Sequence, residues 1–178
     1  MHLRELDFSD TDHILNWLQD AENRCFFAGD DIMPTRREVE QFIFSALYVA
    51  GNIYRVLADD VDDFLGLVAL KDIDPATAAA EFAIALLPAA RGRGYAMLAT
   101  DLLLRFAFNE VGLVRIYMYT SVENDATIRF NERYGFLPQE GPFQQIAIRG
   151  RLHDVKWYGM TKAQFLQIRQ TTAPVREQ

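Results

Sequence analysis

A turn containing two glycines joins a strand-like segment to a helix-like segment near the middle of the chain. Ala79 to Leu87 is almost entirely apolar, as a buried strand would be, and Gly94 to Val111 carries apolar residues at helical spacing. The loop between them contains Gly92 and Gly94, and Gly112 follows the helix in a C-cap position. A strand that leads directly into a long helix predicts a fold in which strands and helices are mixed along the chain.

The remainder of the chain continues this mixture. Thr35 to Glu38 fits a capping box at the start of a helix, and Asn124 with Asp125 begins another helix that ends at Gly135. We expect an α/β fold with a central mixed, mostly antiparallel sheet and helices on both faces. The other predicted strands are Leu3–Phe8, Ile53–Ala58, Phe64–Leu70, Arg115–Val122, Gln144–Arg149 and Leu152–Met160, and the first predicted helix runs from about Thr11 to Glu22.

The length and composition predict one domain. The chain has 178 residues, of which 50% are hydrophobic and 24% are charged, and this excludes a disordered protein. We expect a single domain over residues 1–168 and a frayed tail over residues 169–178. No apolar run approaches the roughly 18 residues that a membrane span needs, so no membrane partner is expected.

Charge and metal-binding side chains argue against two further classes of function. The net charge of −7, from 18 basic and 25 acidic residues, lacks the basic footprint of a nucleic-acid-binding protein. Cys25 and three scattered histidines show no metal-ligand spacing, so no metal site is expected. A lone cysteine cannot form an internal disulfide, which favours a reducing, cytoplasmic location.

The glycine loop has the features of an anion site. Small residues let backbone N–H groups converge, the following helix adds partial positive charge, and Arg91 and Arg93 add full charges. The loop lacks the lysine of a Walker P-loop, and Met97 stands where a dinucleotide fingerprint has its third glycine. A pyrophosphate suits this loop, but an ordinary strand-to-helix turn explains the glycines by themselves equally well.

Three separated motifs together resemble the GNAT acetyltransferases. They are an R-x-x-G-x-A loop (Arg91, Gly94, Ala96), an N…GF element (Asn124, Gly135, Phe136) and a closing hairpin with His153 and Asp154. The order of elements over residues 3–165 is also similar to that of the family. Within it, the chain most resembles the branch that includes spermidine N-acetyltransferases and ribosomal-protein N-terminal acetyltransferases. The resemblance implies a GNAT-type α/β fold.

The resemblance also implies acetyl-CoA as cosubstrate and a set of residues to bind it. Ile84, Ala85 and Leu86 would bond to the pantetheine arm as if to another strand. Asn124 would reach the cofactor or cap its helix, two roles that suit asparagine equally. Backbone N–H groups of the loop would hold the pyrophosphate, and the loop residues are Arg91, Gly92, Arg93, Gly94, Tyr95 and Ala96.

The implied chemistry is direct attack of a primary amine on the thioester in a ternary complex. Glu81, the only charged residue of its strand, is the candidate general base, and a strand-end carboxylate turned to solvent is the alternative. In the family, a tyrosine seven positions after the asparagine usually protonates the thiolate. Here that position holds Asn131, which cannot act as an acid but can orient the thioester or a water. Tyr134 is a substitute acid or a packing residue beneath Phe136.

The acceptor is expected to be a small-molecule or peptide amine, with spermidine-like amines and protein N-termini ahead of aminosugars and antibiotics. The first two helices, their loop and the final hairpin would contact it. In that loop, Phe26 to Asp31 combines aromatic and acidic residues, although core packing explains the phenylalanines better. Trp17, Trp157 and Tyr158 are expected in the core or at an interface rather than stacked on the substrate.

The sequence leaves alternatives for the acyl donor, for turnover and for the oligomeric state. The donor could be another acyl-CoA, because the motifs indicate the coenzyme better than its acyl group. The absence of a tyrosine at position 131 also permits a sensor that binds acetyl-CoA without turnover. The exposed edges of the closing hairpin are compatible with a homodimer or a larger homo-oligomer.

Overall fold

An eight-stranded sheet forms the centre of the protein in a computed structural model that describes residues 1–19, 33–148 and 151–172. The strands lie in the order β1-β2-β3-β4-β5-β8-β6, with β7 paired to β8. Only β4 and β5 pair in parallel among the described strands, which confirms the mixed, mostly antiparallel sheet. The strands are β1 (His2–Arg4), β2 (Ile53–Ala58), β3 (Phe64–Asp74), β4 (Ala79–Leu86), β5 (Arg115–Ser121), β6 (Leu137–Gln139), β7 (Gln145–Ile148) and β8 (Arg151–Thr161).

The helix boundaries follow the capping residues of the sequence. Thr35 and Glu38 form the predicted capping box, and Gly135 ends its helix in the left-handed conformation. The long helix continues as a wider π-helical turn, Ala107–Val111, before Gly112 ends it. The helices are α1 (Thr11–Trp17), α2 (Arg36–Tyr48), α3 (Tyr95–Phe106), α4 (Asp125–Tyr134) and α5 (Lys162–Thr172).

The two faces of the sheet carry different helices, because successive strand side chains point to opposite sides. Phe82 and Leu86 of β4 join a core cluster with α3 and α5. Ala85 instead packs against a second cluster that contains α1 and α2. The prediction of helices on both faces is therefore confirmed. Glu81 has the same parity as Ala85, which places it on the α1–α2 face.

The pairing of β4 with its two neighbours is unequal, and this opens the centre of the sheet. On one side β4 pairs with β3 as far as Leu86. On the other side it pairs with β5 only over Ala79–Glu81, while β5 continues along β8 to Ser121. From Phe82 onward β4 therefore has a backbone edge without strand pairing towards β5.

The structure corrects several predicted boundaries. Strand β6 and helix α5 were not predicted, and α5 includes residues 169–172, which were expected in the frayed tail. Strand β3 extends four residues beyond Leu70 through a bulge, in which Asp72 adopts a left-handed φ of 49°. Residues 26–31 of the predicted acceptor loop, Cys25 and residues 173–178 lie outside the described residues. No helix within the described ranges has the length and apolar character to cross a membrane.

Candidate active site

The glycine loop projects its backbone into open space at the start of α3. Gly92 and Gly94 have φ values of +72° and +81°, and a Cβ atom at either position would meet nothing within 4 Å. Gly94 is the N-cap of α3, whose first N–H groups have no intrahelical partner. Arg91 ties the loop to the strand, because its Nε donates to the Leu86 carbonyl at 3.1 Å. The arrangement presents donors and positive charge to an anion.

The backbone edge of β4 leads from this loop towards the middle of the sheet. Ile84, Ala85 and Leu86 pair with β3 on one side and lie beyond the last pair with β5 on the other. Main-chain donors and acceptors on such an edge can bond an extended amide-containing chain as they would bond a strand. The three residues are therefore placed to bond an extended chain along this edge.

Glu81 lies where the pairing between β4 and β5 ends. It is 9% exposed, and its Oε1 is 2.6 Å from Nζ of Lys71, the residue opposite it on β3. Burial lowers the pKa of the Lys71 ammonium, but the hydrogen bond and charge of Glu81 outweigh burial, so the pKa is raised overall. Glu81 is thus a buried, paired carboxylate and not a strand-end residue turned to solvent.

A cavity of about 580 Å³ opens beside Glu81 on the α1–α2 face of the sheet. Trp157 packs at its centre, with ring centroids 4.9 Å from Tyr119 and 4.7 Å from Phe143, and its Nε1 donates to the Phe143 carbonyl. Trp157 was expected in the core, and although only 5% exposed it lines this cavity. The other lining residues are Asp72, Thr77, Ala79, Glu81, Val114, Arg115, Tyr117, Tyr119, Gln139, Glu140, Pro142 and Phe143.

The cavity combines aromatic rings with excess negative charge. The carboxylates of Asp72, Glu81 and Glu140 line it, and the charge of Arg115, which bonds Gln139 at 2.7 Å, opposes them. The pKa of the Tyr117 phenol is raised, first by burial and then by the charges of Asp72 and Glu81. Carboxylates beside exposed π faces favour a cationic ligand.

Helix α4 presents its asparagines in two different environments. Asn124 caps the helix, since its Oδ1 accepts from the Thr127 N–H at 3.0 Å. Asn131 is fully buried, and neither Oδ1 nor Nδ2 of its amide has a hydrogen-bond partner among the described residues. Buried amides are nearly always hydrogen-bonded in native proteins, so the Asn131 amide stands out among the described residues.

Tyr134 lies on the same helix but away from the cavity. Its ring packs against Phe136 at 5.3 Å, and burial followed by the charge of Asp101 raises the pKa of its phenol. The charges of Arg169 on α5 and Arg105 on α3 lower the pKa of the phenol, but the effects that raise it are larger. Tyr134 belongs to the core cluster that contains residues of α3 and α5, and it does not line the cavity beside Glu81.

The sequence singled out Glu81 but missed most of the residues around it. Lys71 lies one residue beyond the predicted end of its strand, and the bulge that follows it has no sequence signal we could identify. Tyr117 and Tyr119 alternate within β5, so a common face was readable once strand pairing was known. His153 of the closing hairpin pairs with Glu123 at 3.1 Å and does not line the cavity.

Comparison with known proteins agrees with this arrangement. The family profile described as "Acetyltransferase (GNAT) domain" matches residues 1–137. The chain belongs to the GNAT acetyltransferase family. It is therefore an N-acetyltransferase that uses acetyl-CoA as cosubstrate, as the sequence motifs predicted.

Two curated relatives represent the branch that the sequence resembled. The spermidine N(1)-acetyltransferase of Vibrio cholerae is 26% identical over 164 residues, which cover 92% of this chain and 94% of that protein. The putative ribosomal N-acetyltransferase YdaF of Bacillus subtilis is 26% identical over 100 residues, covering 56% of this chain and 55% of that protein. The predicted family and branch are both supported.

Solved structures of the Vibrio cholerae enzyme share the fold. Its complex with CoA and spermine superposes with a TM-score of 0.82 at 25% identity, covering 92% of this chain and 96% of the other. A structure described as dodecameric, in an intermediate state, gives a TM-score of 0.77 at 25% identity, covering 92% and 95% of the two chains. The GNAT-type fold is therefore confirmed over nearly the whole chain.

Proposed function

We propose that this enzyme transfers the acetyl group of acetyl-CoA directly to a primary amine of a polyamine-like cation, with both substrates bound together. One observation carries the proposal. The open edge of β4 leads from the glycine loop to Glu81, and the acidic, aromatic cavity begins at that same residue. Donor and acceptor can then approach Glu81 from different sides, as a ternary complex requires.

The cofactor would be held mainly by the main chain. N–H groups of residues 92–96 would bond the pyrophosphate, with Arg91 and Arg93 beside them, and residues 84–86 would bond the pantetheine arm. Asn124 stands at the N-terminus of α4 as a cap, and a contact to the cofactor would be additional. Acetyl-CoA supplies the activated thioester acyl group, and a β4 N–H would stabilise the charge that develops on its oxygen.

Glu81 would accept the proton that the acceptor ammonium must lose before it attacks, directly or through a water. The amine nitrogen then forms a bond to the acetyl carbon, the carbon–sulfur bond breaks, and the nitrogen releases its second proton to solvent as the amide forms. The thiolate that leaves takes a proton from solvent, because coenzyme A is acidic enough to depart without a side-chain acid.

The buried Asn131 amide would donate to the thioester oxygen, the departing sulfur or an ordered water. Its lack of a partner among the described residues supports this role. Tyr134 would contribute packing and not proton transfer, since it belongs to the core cluster that contains residues of α3 and α5. The family's usual tyrosine would thus have no direct substitute here.

The acceptor class follows from the cavity and from the relatives. A chain of methylene groups with several ammonium groups fits aromatic walls that carry Asp72 and Glu140. The related enzyme from Vibrio cholerae is named for spermidine and has been solved with spermine. A protein N-terminus is the second candidate, favoured by the putative ribosomal acetyltransferase among the relatives.

Assembly and location are further parts of the proposal. A homo-oligomer is supported by the dodecameric structure of the Vibrio cholerae enzyme and is tested by light scattering of the purified protein. A cytoplasmic location is supported by the single cysteine, which is suited to a reducing compartment.

The deciding experiment measures thiol release from acetyl-CoA with a panel of amines. The panel contains spermidine, spermine, simple diamines, an aminosugar, an aminoglycoside and short peptides with free or blocked N-termini. We expect the highest kcat/KM with a polyamine and intersecting lines in initial-velocity plots. A preference for free peptide N-termini would contradict the polyamine assignment, and parallel lines would contradict the ternary complex. No turnover with any amine would favour an acetyl-CoA sensor.

A further inference from the structure

The ion pair between Lys71 and Glu81 lies at the edge of the acceptor cavity, which Glu81 lines, and Lys71 has so far been given no role in the reaction. The two residues face each other in the β3–β4 register, with Nζ and Oε1 only 2.6 Å apart. The Lys71 side chain is 25% exposed, so the pair is largely withdrawn from water. A charge-assisted hydrogen bond of this length fixes the carboxylate in one orientation.

Groups on every neighbouring strand act on this pair. Tyr54 of β2 and Tyr119 of β5 both interact with the Lys71 ammonium, while Asp72 and Tyr117 lie on the cavity side of Glu81. The raised pKa of Lys71 means that it keeps its proton through neutral pH. Lys71 is therefore a permanent cation beside the residue proposed as the base.

We propose that Lys71 is the positioning residue of the catalytic carboxylate: by binding Oε1 of Glu81, it leaves Oε2 to receive the proton of the acceptor amine. The inference rests on the base role of Glu81 in the proposed function. Lys71 exchanges no proton with the substrate. It holds the carboxylate in one orientation and directs the remaining oxygen towards the cavity.

Neutralisation of Glu81 also shapes the binding of the acceptor. Since Lys71 already balances the charge of Glu81, the reacting amine need not pair with that carboxylate as a cation. The other carboxylates that line the cavity are those of Asp72 and Glu140, and both residues are exposed. They would hold a second ammonium group while the reacting nitrogen loses its proton to Glu81.

The test is a double-mutant cycle with Lys71→Met, Glu81→Gln and the combined variant, together with Lys71→Arg. The combined variant removes both charges, so it avoids a buried unpaired charge if Lys71→Met folds poorly. Lys156→Met is the matched control, because it removes a lysine from the Lys156–Glu132 ion pair outside the cavity. Acetyl-CoA binding and melting temperature are measured for each variant, and kcat and KM are measured from pH 6 to pH 10.

We expect Lys71→Met to lower kcat about tenfold near pH 6 with little change in the KM for acetyl-CoA. Its pH profile should differ from that of the wild type, because the carboxylate has lost the ammonium that it faces. Lys71→Arg should restore most of the wild-type profile, and Lys156→Met should leave the profile unchanged. In the Glu81→Gln background, Lys71→Met should change kcat less than twofold.

Three possible results separate this inference from the proposed function. If Glu81→Gln is impaired but Lys71→Met keeps the wild-type pH profile, the positioning role is wrong and the base role stands. An equal loss of kcat from Lys71→Met in both backgrounds also overturns it, because Lys71 would then not act through Glu81. If Glu81→Gln retains full activity, the base role itself is wrong.

Discussion

The two ends of β4 present different chemical groups to a ligand. At the end of β4 near Leu86, the strand edge and the loop with Gly92 and Gly94 offer mainly backbone groups. At the other end, Glu81 lies among side chains from β3, β5, β6 and β8. The end near Leu86, the cofactor half of the site, can therefore bind an invariant coenzyme with few side chains. At the end near Glu81, the acceptor half, amino-acid substitutions can change which acceptor is bound.

The difference has a physical basis. Backbone N–H groups and a helix N-terminus bind a phosphate whatever the neighbouring side chains are, provided the chain can adopt the required dihedral angles. An amine is recognised through placed carboxylates and aromatic faces, which depend on residue type at each position. We therefore expect substitutions near the glycine loop to change acetyl-CoA binding, and substitutions near Glu81 to change the use of the acceptor.

The largest effect is expected from Glu81→Gln, at the junction of the two ends. Loss of a general base should lower kcat/KM for the amine by about 10²-fold or more. The affinity for acetyl-CoA, measured by calorimetry, should stay within twofold of the wild type. A parallel loss of acetyl-CoA affinity would mean that Glu81 belongs to the cofactor half.

Gly94→Ala should act on the cofactor half alone. Its φ of +81° costs a residue with a Cβ about 1–2 kcal/mol, so the loop should shift its N–H groups and weaken acetyl-CoA about tenfold. Gly112→Ala is the matched control, since Gly112 has a φ of +83° and equally open surroundings but lies at the C-terminal end of the long helix. Equal acetyl-CoA affinities in the two variants would remove the loop from the cofactor site.

Asn131→Leu should raise the stability of the apo protein but lower the additional stability that acetyl-CoA confers. Replacing an unpaired buried amide by an apolar side chain should stabilise the apo protein by about 1 kcal/mol. The stabilisation gained from acetyl-CoA should fall by a similar amount, measured as the ligand-induced shift in Tm. A destabilised apo protein with an intact ligand shift would contradict a cofactor contact.

Tyr134→Phe is the control on the same helix. Because burial raises the pKa of Tyr134, its phenol stays protonated over the assay range and should contribute nothing to the basic limb of the pH profile. We expect kcat within twofold of the wild type at every pH. A tenfold loss of kcat throughout the pH range would identify Tyr134 as the general acid.

A small effect, confined to the acceptor, is expected from Phe143→Leu in the acceptor half. Loss of one ring face should raise the KM for a polyamine about twofold to fivefold, with acetyl-CoA binding unchanged. Phe8→Leu replaces a similarly exposed phenylalanine outside the cavity and should change neither constant. A KM that stays at the wild-type value in Phe143→Leu would argue against an aromatic contact to the acceptor.

Sequence patterns predicted helix ends better than the residues that line the cavity. Thr35, Gly112 and Gly135 mark helix ends because capping depends on local dihedral angles and hydrogen bonds, and the structure places all three as predicted. Helix α5 was missed, since its apolar residues are few and the packing of Phe165 and Ile168 against the core reveals its buried side. The Phe26–Asp31 segment, for which core packing was preferred to an acceptor contact, lies outside the described residues.

The sequence motifs predicted a GNAT acetyltransferase, which the family profile confirms, and a glycine loop for acetyl-CoA, which stays a prediction. The loop and the helix ends are readable because a glycine, a capping residue or a strand-to-helix switch acts within a few residues. Tertiary structure alone decided that Lys71 pairs with Glu81, that Trp157 lines a cavity and that Asn131 is buried without a partner among the described residues. Those facts depend on strand register and on which side chains a face collects, and both are properties of the assembled sheet.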